Sequence, residues 1–526
     1  MNIKLIDSTL RDGGNVNDWN FGGRVIYGIL ENIQRSGIDV IEVGYLKNVT
    51  FDKNKTLYDN IGQARMNIPT KLKAGQKISL MTQVDKWDWG KIEENRGDVD
   101  IIRVSFHKTR IQEGMKLCRI VMENGYECHC NPINIMGYSD REFLQLIEKV
   151  NLLHPQVFTI VDTFGAMGMG DLQRINTLLD HNLVQDIGIS VHLHENLGLA
   201  FSLALEFMTY FNNKREVYVD SSVFGIGRVP GNLCQELVMD YLNKNMSASY
   251  DIDYIYDAID DYVLKIKEKY PWGYAVPYAL SATYNLHRTY PEFLIDRGKL
   301  RTKDIRRILS SIDQNERVIY NETYIQRLYD DYLGVSVDDR ESDEQLKRLL
   351  DSKSICLIAP GKSIQKNFDR IKECIEDEDC IAISINFIPE EIHVDYCFFT
   401  NMKRVMIHEK NSMMRGEKII ITSNIEKEEM EHEYVLNFAR LRSFGDTTSE
   451  DSTLCLLNFL RDVNYKKIFI AGFDGFDGKE DHYDKFMDRH SDKKTDNEKV
   501  KNIFAKFFKS ERIHFITPSY YGESDL

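Results

Sequence analysis

The chain has 526 residues, which is too many for one hydrophobic core, so we expect at least two domains. Apolar residues make up 42% and charged residues 28% of the sequence, an ordinary composition for a globular protein. The net charge of -15 argues against nucleic-acid and anionic-membrane partners, because phosphates repel an acidic surface. No apolar run approaches the roughly 20 residues of a membrane-spanning helix. The sequence begins with a predicted strand and shows no signal-peptide pattern, so we expect a cytoplasmic protein.

Apolar runs alternate with helical patterns through the first 235 residues. Strands are predicted at Leu5–Ile6, Asp39–Tyr45, Ile78–Thr82, Asp100–Phe106, Glu127–Ile133, Val157–Asp162, Asp186–His192 and Val217–Val223. Helical spacing of apolar residues fills the gaps, for example at 25–36, 110–124 and 140–153. Eight strands in this rhythm predict an α/β fold, a (β/α)₈ TIM barrel. A doubly wound open sheet is the alternative, and it fits less well because polar residues end nearly every strand.

Those polar strand ends predict a functional pocket, since the carboxyl ends of barrel strands form the active site. They comprise Arg11, Asp12, Glu42, Tyr45, Gln83, Arg103, Ser105, His107, Asn131, Asn134, Asp162, Thr163, His192, His194 and Ser221. A purely structural barrel does not need a polar or charged residue at each exit, whereas a shared pocket does.

The clearest signal for a metal joins the first and seventh predicted strands. His192 and His194 are two residues apart in a strand, so both imidazoles point to the same face. With Asp12 at the exit of the first strand, they form a candidate set of metal ligands. A Gly-rich loop at 224–232 follows the last strand, and Asn232 is a candidate to reach the metal or the substrate. The alternatives are a pair of hydrogen-bonded core histidines and a loop that only closes the barrel.

The second half of the chain predicts a separate α/β domain. Residues 236–335 have helical spacing and many aromatic residues, which we interpret as an extension of the 1–235 barrel. A charged, weakly patterned stretch at 336–352 is the predicted linker. Apolar strands then begin at Ile355, and further strands are predicted at 380–387, 396–400, 404–407 and 467–477. This pattern indicates a Rossmann-like sheet over 353–526, with ligand loops at its strand ends.

Residues 1 to about 300 resemble the DRE-TIM metallolyases, which include 4-hydroxy-2-oxovalerate (pyruvate) aldolases, hydroxymethylglutaryl-CoA lyase, and isopropylmalate and homocitrate synthases. The similar segments are Thr9–Gly13, Asp162–Gly165, Val191–Asn196 and Gly225–Asn232. The stretch Gly273–His287 resembles the helical extension of the aldolases, which makes them the nearest named relatives.

The resemblance implies roles for the matched residues. The implied ligands of a divalent cation, Mn²⁺ or Mg²⁺, are Asp12, His192, His194 and Asn232. Arg11 would stabilise an enolate oxygen, and Glu42 would support it or assist proton transfer. Arg103 and Thr163 would bind a substrate carboxylate.

One position departs from the aldolase pattern. Those aldolases have an acid/base His shortly after the Arg-Asp-Gly motif, whereas this chain has Asn15, which cannot transfer a proton at neutral pH. We therefore assign Asn15 to substrate binding and keep Tyr45, His107, Glu42 and a metal-bound water as alternatives for proton transfer. The implied activity is a metal-dependent aldolase that acts on a 4-hydroxy-2-oxoacid through a pyruvate-type enolate, with a 2-oxoacid and an aldehyde as partners. The alternatives are a Claisen-type acyl-CoA transferase and a non-catalytic metal-binding scaffold.

The last part resembles Rossmann-like domains of bacterial surface-polysaccharide proteins, including sialyltransferase-like glycosyltransferases. The resemblance lies in Ala359–Gly361 and Ile470–Asp474. It implies that this domain binds a nucleotide or a nucleotide sugar, in a homo-oligomeric protein of surface-glycan biosynthesis. A degenerate accessory or dimerisation domain is the alternative.

Overall fold

The computed structural model describes residues 2–69, 72–297, 300–333, 337–402, 404–405, 417–425, 432–475 and 494–522. The chain divides into a barrel unit, Met1–Thr289 with Asp313–Tyr320, and a sheet unit, Tyr290–Ile312 with Asn321–Leu526. The predicted extension is therefore shared between the two units. Within the predicted linker at 336–352, Arg340–Leu350 is a helix that belongs to the sheet unit.

Eight parallel strands form the barrel. They are β1 (Ile3–Asp7), β2 (Val40–Leu46), β3 (Lys77–Gln83), β4 (Ile101–Phe106), β5 (Glu127–Pro132), β6 (Val157–Val161), β7 (Gly188–His192) and β8 (Val217–Ser221). Each strand pairs with the next, and β1 pairs with both β8 and β2, so the sheet closes on itself. A two-residue strand, Leu57–Tyr58, adds to β2. The predicted (β/α)₈ barrel is confirmed.

Helices follow most barrel strands and cover the outside of the barrel. Their bounds are Gly23–Ser36, Ile61–Ala64, Ile111–Glu123, Asp140–Leu153, Met169–Asn182, Ala200–Phe211 and Gln235–Asn245. The first buries Ile26, Ile29 and Ile33 at helical spacing and ends at Gly37, whose φ of 81° suits a residue without a Cβ. The fourth begins with a reciprocal capping box between Ser139 and Glu142.

The part of the extension that belongs to the barrel unit lies at the mouth of the barrel. It contains helices Asp253–Ala258, Leu264–Lys269 and Val276–Thr283, with a π-helical turn at 259–263 between the first two. Trp272 Nε1 donates to the carbonyl of Phe224, 3.0 Å away in the loop after β8. Asn196 Nδ2 donates to the carbonyl of Tyr278 over 3.4 Å. These bonds bring the extension onto the carboxyl ends of the strands, where we expect the functional site.

The interior of the barrel changes from apolar to charged along its axis. One layer consists of Ile6, Val40, Ile101, Val157 and Tyr218. Closer to the carboxyl ends of the strands, the buried interior side chains include Glu42, Arg103, His129, Asn131, Ser190 and Asp220. TIM-barrel interiors are usually filled by branched apolar residues, so this polar layer calls for internal pairing of its charges.

Asp7, at the end of β1, carries a buried carboxyl group with a raised pKa. Burial raises the pKa of Asp7 to about 7, although hydrogen bonds from the Thr9 hydroxyl (2.6 Å) and amide (3.1 Å) oppose the shift. The carboxyl group of Asp in an unfolded chain titrates at about 4. Above this pH the native state still holds a proton that the unfolded state has lost, so the free energy of unfolding falls as pH rises from about 4 to about 7. We expect Asp7→Asn to remove this pH-dependent loss, which amounts to up to about 4 kcal/mol of unfolding free energy.

The measurement is thermal unfolding of the wild type and of Asp7→Asn at pH 5 and pH 8. Asp240→Asn, at an exposed ion pair with Lys244 in helix Gln235–Asn245, is the matched control and should keep the wild-type pH dependence. A variant whose unfolding temperature declines between these pH values as steeply as the wild type would contradict the assignment to Asp7.

The sheet unit contains a seven-stranded parallel sheet. Its strands are β9 (Ser354–Ile358), β10 (Cys380–Ile385), β11 (Tyr396–Phe399), β12 (Lys418–Thr422), β13 (Tyr434–Leu436), β14 (Lys467–Ala471) and β15 (Ile513–Phe515). They lie in the order β13-β12-β11-β10-β9-β14-β15. The chain therefore proceeds outward in both directions from the β9–β14 pair, which is the topological switch point of this sheet.

Helices of the sheet unit include Thr302–Ser310, Glu322–Leu333, Arg340–Leu350, Phe368–Asp377, Phe438–Leu441, Ser452–Leu460 and Lys494–Phe507. The strand predicted at 404–407 is wrong at 404–405, which are helical, and its other two residues lie outside the described residues. None of the helices in the described part of the chain is both long enough and apolar enough to cross a bilayer.

Candidate active site

Asp12, His192 and His194 come together at the carboxyl ends of β1 and β7. One potential ligand atom from each lies within 4.8 Å of the other two, and all three residues are buried. Asp12 Oδ2 and His194 Nε2 are 3.7 Å apart. The two imidazoles point to the same side because they occupy alternate positions at the end of one strand. The structure thus assembles the three ligands predicted from the sequence.

Hydrogen bonds fix which nitrogen of each histidine faces a cation. His194 Nδ1 lies 2.9 Å from the carbonyl oxygen of Asp162, which can only accept, so Nδ1 carries the proton. His192 Nδ1 lies 2.9 Å from Asp220 Oδ2. Burial lowers the pKa of His192, which keeps the ring neutral near pH 7. In each ring Nδ1 is hydrogen-bonded and Nε2 is left as the potential ligand atom, the usual arrangement of histidine ligands to metals.

Three buried acceptor atoms at this centre have no hydrogen-bond partner among the described residues. They are Asp12 Oδ2, His194 Nε2 and Asn232 Oδ1. Asn232 Nδ2 donates to the carbonyl of Ile226 (3.1 Å), and its backbone bridges to His194. A buried acceptor without a donor costs about 1–3 kcal/mol. A divalent cation held by Asp12 and His194 would satisfy the first two atoms, and Asn232, whose backbone bridges to His194, stays a candidate ligand.

Asp12 is held in place by its neighbours. Arg11 Nη1 donates to Asp12 Oδ1 (2.6 Å), and Asn15 Nδ2 donates to the Asp12 carbonyl (2.9 Å) and to Oδ1 (3.3 Å). Burial raises the pKa of Asp12, but Arg11 and the two histidines outweigh burial and hold this pKa well below its ordinary value. The second carboxylate oxygen is thereby left as an ionised ligand. Asn15 contacts this ligand, a role different from the predicted substrate contact.

Arg11 presents one uncommitted donor to the site. Its Nε donates to Glu42 Oε2 (2.7 Å), and its Nη1 is engaged by Asp12. Its Nη2 is buried and has no hydrogen-bond partner in the described ranges. The Oδ2 atom of Asp220 lies 4.0 Å from this nitrogen. A buried guanidinium nitrogen in this position can stabilise negative charge that develops on a substrate oxygen.

Arg103 lies deeper than predicted. It has no exposed surface, and its guanidinium donates to Glu42 Oε1 (3.3 Å) and to Asp220. The predicted contact between Arg103 and a substrate carboxylate therefore does not occur in this arrangement. Glu42 accepts from both Arg11 and Arg103, so Arg103 acts on the site through the position of Glu42.

The other predicted site residues surround the centre. Tyr45 is buried, donates to Gln83 Oε1 (3.3 Å), and has its pKa raised by burial. His107 is half-buried, and burial lowers its pKa. Thr163 Oγ1 accepts from the Asn134 amide (2.7 Å) and lines a pocket beside His194.

Asp220 is the main site residue that the sequence analysis missed. Its carboxylate accepts from Arg103 and contacts His192 Nδ1 and, at 3.3 Å, Ser190 Oγ. Burial raises the pKa of Asp220, but Arg103 and His192 lower this pKa by more than burial raises it. The pKa of Asp220 therefore lies well below its ordinary value. Its signal in the sequence was its position in β8 two residues after the interior-facing Tyr218.

We expect Asp220→Asn to weaken divalent-cation binding by about 10–100-fold, because the carboxylate that orients His192 is lost. The measurement is Mn²⁺ titration followed by electron paramagnetic resonance of the free ion. Asp186→Asn is the matched surface control and should bind Mn²⁺ as the wild type does. An unchanged affinity in Asp220→Asn would show that His192 does not need this partner.

Residues 2–261 match the HMGL-like family model. The barrel unit is therefore similar to HMGL-like domains. A 4-hydroxy-2-oxovalerate aldolase from Thermomicrobium roseum is 24% identical over 348 residues, which span 61% of this chain and 89% of that enzyme. A 2-isopropylmalate synthase from Ruminiclostridium cellulolyticum is 26% identical over 277 residues, 49% of this chain and 52% of that enzyme. A solved HMG-CoA lyase from Brucella melitensis has 14% identity and a TM-score of 0.40, and covers 48% of this chain and 95% of that chain.

The match to the family model ends at residue 261, so it covers the barrel and the beginning of the extension. The candidate ligands and Arg11 all lie inside the matched residues. The aldolase relative also spans the segment that follows the barrel, because its alignment covers 61% of this chain. The family model and the aldolase relative support a lyase-type enzyme.

Proposed function

We propose that the barrel unit is a divalent-metal-dependent aldolase that cleaves or forms a carbon–carbon bond of a 4-hydroxy-2-oxoacid through a pyruvate-type enolate. One observation carries this proposal: Asp12, His192 and His194 come together as a group that could hold a metal ion, and Arg11, which donates to Asp12, has a buried Nη2 without a hydrogen-bond partner among the described residues. The similarity to the 4-hydroxy-2-oxovalerate aldolase supports it. Carboxylate and amide oxygens beside two imidazoles favour Mn²⁺ or Mg²⁺ as the cation.

The cation would supply Lewis-acid polarisation of the 2-oxoacid carbonyl. The chain's own residues do the rest. Arg11 Nη2 donates to the oxygen on which negative charge develops, and its other two nitrogens are locked by Glu42 and Asp12, so the donor needs no reorganisation. The polar layer below, with Arg103 bound to Glu42, keeps Arg11 in this orientation.

Proton transfer falls to Tyr45 or His107 in this proposal. Both carboxylate oxygens of Glu42 already accept from arginines, and Glu42 has no exposed surface. His107 has a lowered pKa, so its ring is neutral at pH 7 and able to accept a proton. Asn15 supports Asp12 and takes no proton.

The test is deuterium exchange at the methyl group of pyruvate, followed by NMR in ²H₂O with Mn²⁺ or Mg²⁺. We expect exchange that depends on the metal and is abolished by chelation. Absence of exchange with either metal would overturn the pyruvate-enolate proposal.

The same protein preparation distinguishes the aldolase from two alternative functions. A Claisen-type transferase on this barrel would consume acetyl-CoA and release a free thiol in the presence of a 2-oxoacid, as the similarity to a 2-isopropylmalate synthase allows. A metal-binding scaffold would bind Mn²⁺ without either reaction. Exchange with pyruvate and no thiol release is the result expected for the aldolase.

For the sheet unit we propose binding of a nucleotide or a nucleotide sugar at the switch point between β9 and β14. Ligands of open parallel sheets bind at the carboxyl ends of the strands where the order reverses. Two turns meet there: the Gly361 amide donates to the Gly472 carbonyl (2.9 Å), and the Ser363 amide donates to Asp474 (2.7 Å). A Cβ on Gly472 would lie 2.0 Å from the Ala359 carbonyl, so this close approach requires glycine.

Thermal unfolding of the full chain with millimolar CMP, UMP, UDP or GDP tests this second proposal. We expect one of them to raise the unfolding temperature, and adenosine without a phosphate to leave it unchanged. No shift with any nucleotide would contradict it. A homo-oligomer, a cytoplasmic location and a role in surface-glycan biosynthesis stay predictions.

A further inference from the structure

A pocket opens beside the candidate metal centre, between the barrel and the extension of the same unit. Its space, including the part that is open to solvent, is about 260 Å³. The residues that line it are Thr163, Phe164, His194, Asn196, Arg228, Val229, Ser281, Leu286 and Arg288. One of the candidate metal ligands, His194, forms part of its wall, so a substrate bound at the cation can extend into this pocket.

The charge of the lining is positive. Arg228 comes from the loop after β8, and Arg288 comes from the segment that follows helix Val276–Thr283, so two distant parts of the chain each contribute a half-buried guanidinium. Among the residues that line the pocket there is no carboxylate. An arginine keeps its charge at every physiological pH, so this lining favours an anion.

His287, beside the pocket, is affected by the positive charge of the same two arginines. Burial lowers the pKa of His287 to about 4, and Arg228, Arg288 and His107 each lower it further. The His287 ring lies edge-on to Phe164, one of the lining residues, with 5.9 Å between the ring centroids. The ring beside the pocket thus stays neutral near pH 7, and the two guanidinium groups remain the fixed charges of its wall.

We infer that this pocket binds the part of the substrate released as the aldehyde, and that this aldehyde carries an anionic group, a carboxylate or a phosphate. The inference rests on the proposed aldolase function and specifies its substrate class. A small neutral aldehyde needs no cationic partner, whereas carboxylate and phosphate groups match the planar donor fork of arginine. Ser281 and Asn196 supply further polar contacts, and Leu286, Val229 and Phe164 supply the apolar wall for the carbon chain.

The anionic group takes no part in the bond changes of the proposed reaction. In the direction of synthesis, the methylene carbon of the pyruvate enolate attacks the aldehyde carbon and forms the new carbon–carbon bond. The π electron pair of the aldehyde carbonyl moves to its oxygen, and that oxygen takes up one proton. In cleavage the hydroxyl proton leaves, the carbon–carbon bond breaks, and its electron pair returns to the enolate. The arginines bind and orient the aldehyde and exchange no proton.

The test compares charged and neutral aldehydes of matched size with pyruvate and Mn²⁺. One pair is succinic semialdehyde and butanal, which probes a carboxylate; the other is glyceraldehyde 3-phosphate and glyceraldehyde, which probes a phosphate. We expect kcat/KM to favour the charged member of at least one pair by about tenfold or more, and the pair that responds identifies the anion.

Arg228→Gln and Arg288→Gln each should reduce this ratio by at least about threefold, mainly through KM for the charged aldehyde. The ratio is measured within one preparation, so it does not depend on how much of a variant is folded. Arg174→Gln, at an exposed surface ion pair, is the matched control and should keep the wild-type ratio.

Three outcomes would overturn the inference. Pyruvate exchange without any preference for charged aldehydes overturns it alone and leaves the aldolase proposal standing. A preference that survives in both arginine variants also overturns it alone, because the pocket would not be its cause. No pyruvate exchange in the wild type overturns the aldolase proposal and this inference together.

Discussion

Asp12→Ala is expected to lower metal-dependent deuterium exchange into pyruvate by at least about 10³-fold. The variant loses the only carboxylate of the Asp12–His192–His194 set, and a Lewis-acid cation supplies several kcal/mol of charge stabilisation, at about 1.4 kcal/mol per tenfold in rate. Arg11 Nη1 also loses its acceptor, so the donor that faces the enolate oxygen becomes less well oriented. The measurement is the NMR exchange rate at saturating Mn²⁺, together with Mn²⁺ affinity.

The control is Asp186→Ala, which removes an exposed carboxylate far from the centre and should exchange as the wild type does. Asp12→Asn separates the two roles of Asp12, because its amide oxygen can still accept from Arg11 but binds a cation more weakly. We expect Asp12→Asn to keep the fold and to lose most of its Mn²⁺ affinity. Exchange within tenfold of the wild-type rate in Asp12→Ala would contradict the proposed ligand set.

Arg103→Met is expected to destabilise the barrel by about 3–5 kcal/mol. Arg103 is fully buried and is the shared partner of Glu42 and Asp220, so its loss leaves two buried carboxylates with fewer donors. Met has a similar length and fills most of the space, so the loss is mainly electrostatic. Denaturant unfolding of the full chain, read from its first transition, measures the effect.

Arg174→Met is the matched control for this change, because Arg174 pairs with Asp140 at an exposed site where an ion pair contributes at most about 1 kcal/mol. Arg103→Lys keeps the charge but replaces the planar fork by a single ammonium group, and we expect it to lie between the wild type and Arg103→Met. A loss below about 1 kcal/mol in Arg103→Met would mean that Glu42 and Asp220 find other donors.

The barrel and the centre of the site could be predicted because their signals are local. Alternation within one strand places His192 and His194 on one face, and barrel geometry gathers strand ends at one mouth, so Asp12 joins them without any further information. Arg103 shows the limit of this approach. It also lies in a strand and faces inward, but its depth along the barrel axis depends on the register between strands, which the sequence does not reveal.

Asp220 and Arg288 were missed for different physical reasons. Asp220 lies inside an apolar strand, where only its pairing with His192 and Arg103 explains a buried carboxylate. Arg288 reaches the pocket because the extension folds back onto the barrel, a tertiary contact that helical periodicity cannot predict. In the sheet unit, β12, β13 and β15 were missed because short strands of three to five residues have little pattern of their own.

The residues that line the pocket come from two parts of the chain, which affects how enzymes of this kind can change their substrates. Ser281, Leu286 and Arg288 belong to a stretch of eight residues that lies beyond the last barrel strand, whereas the candidate cation ligands all come from the barrel and its closing loop. Under the proposed function, the residues that carry the reaction come from the barrel and its closing loop alone, whereas the residues that select the acceptor come from the barrel and from this later stretch together. A substitution confined to 281–288 is therefore expected to change which aldehyde is accepted and to leave the exchange of pyruvate unchanged.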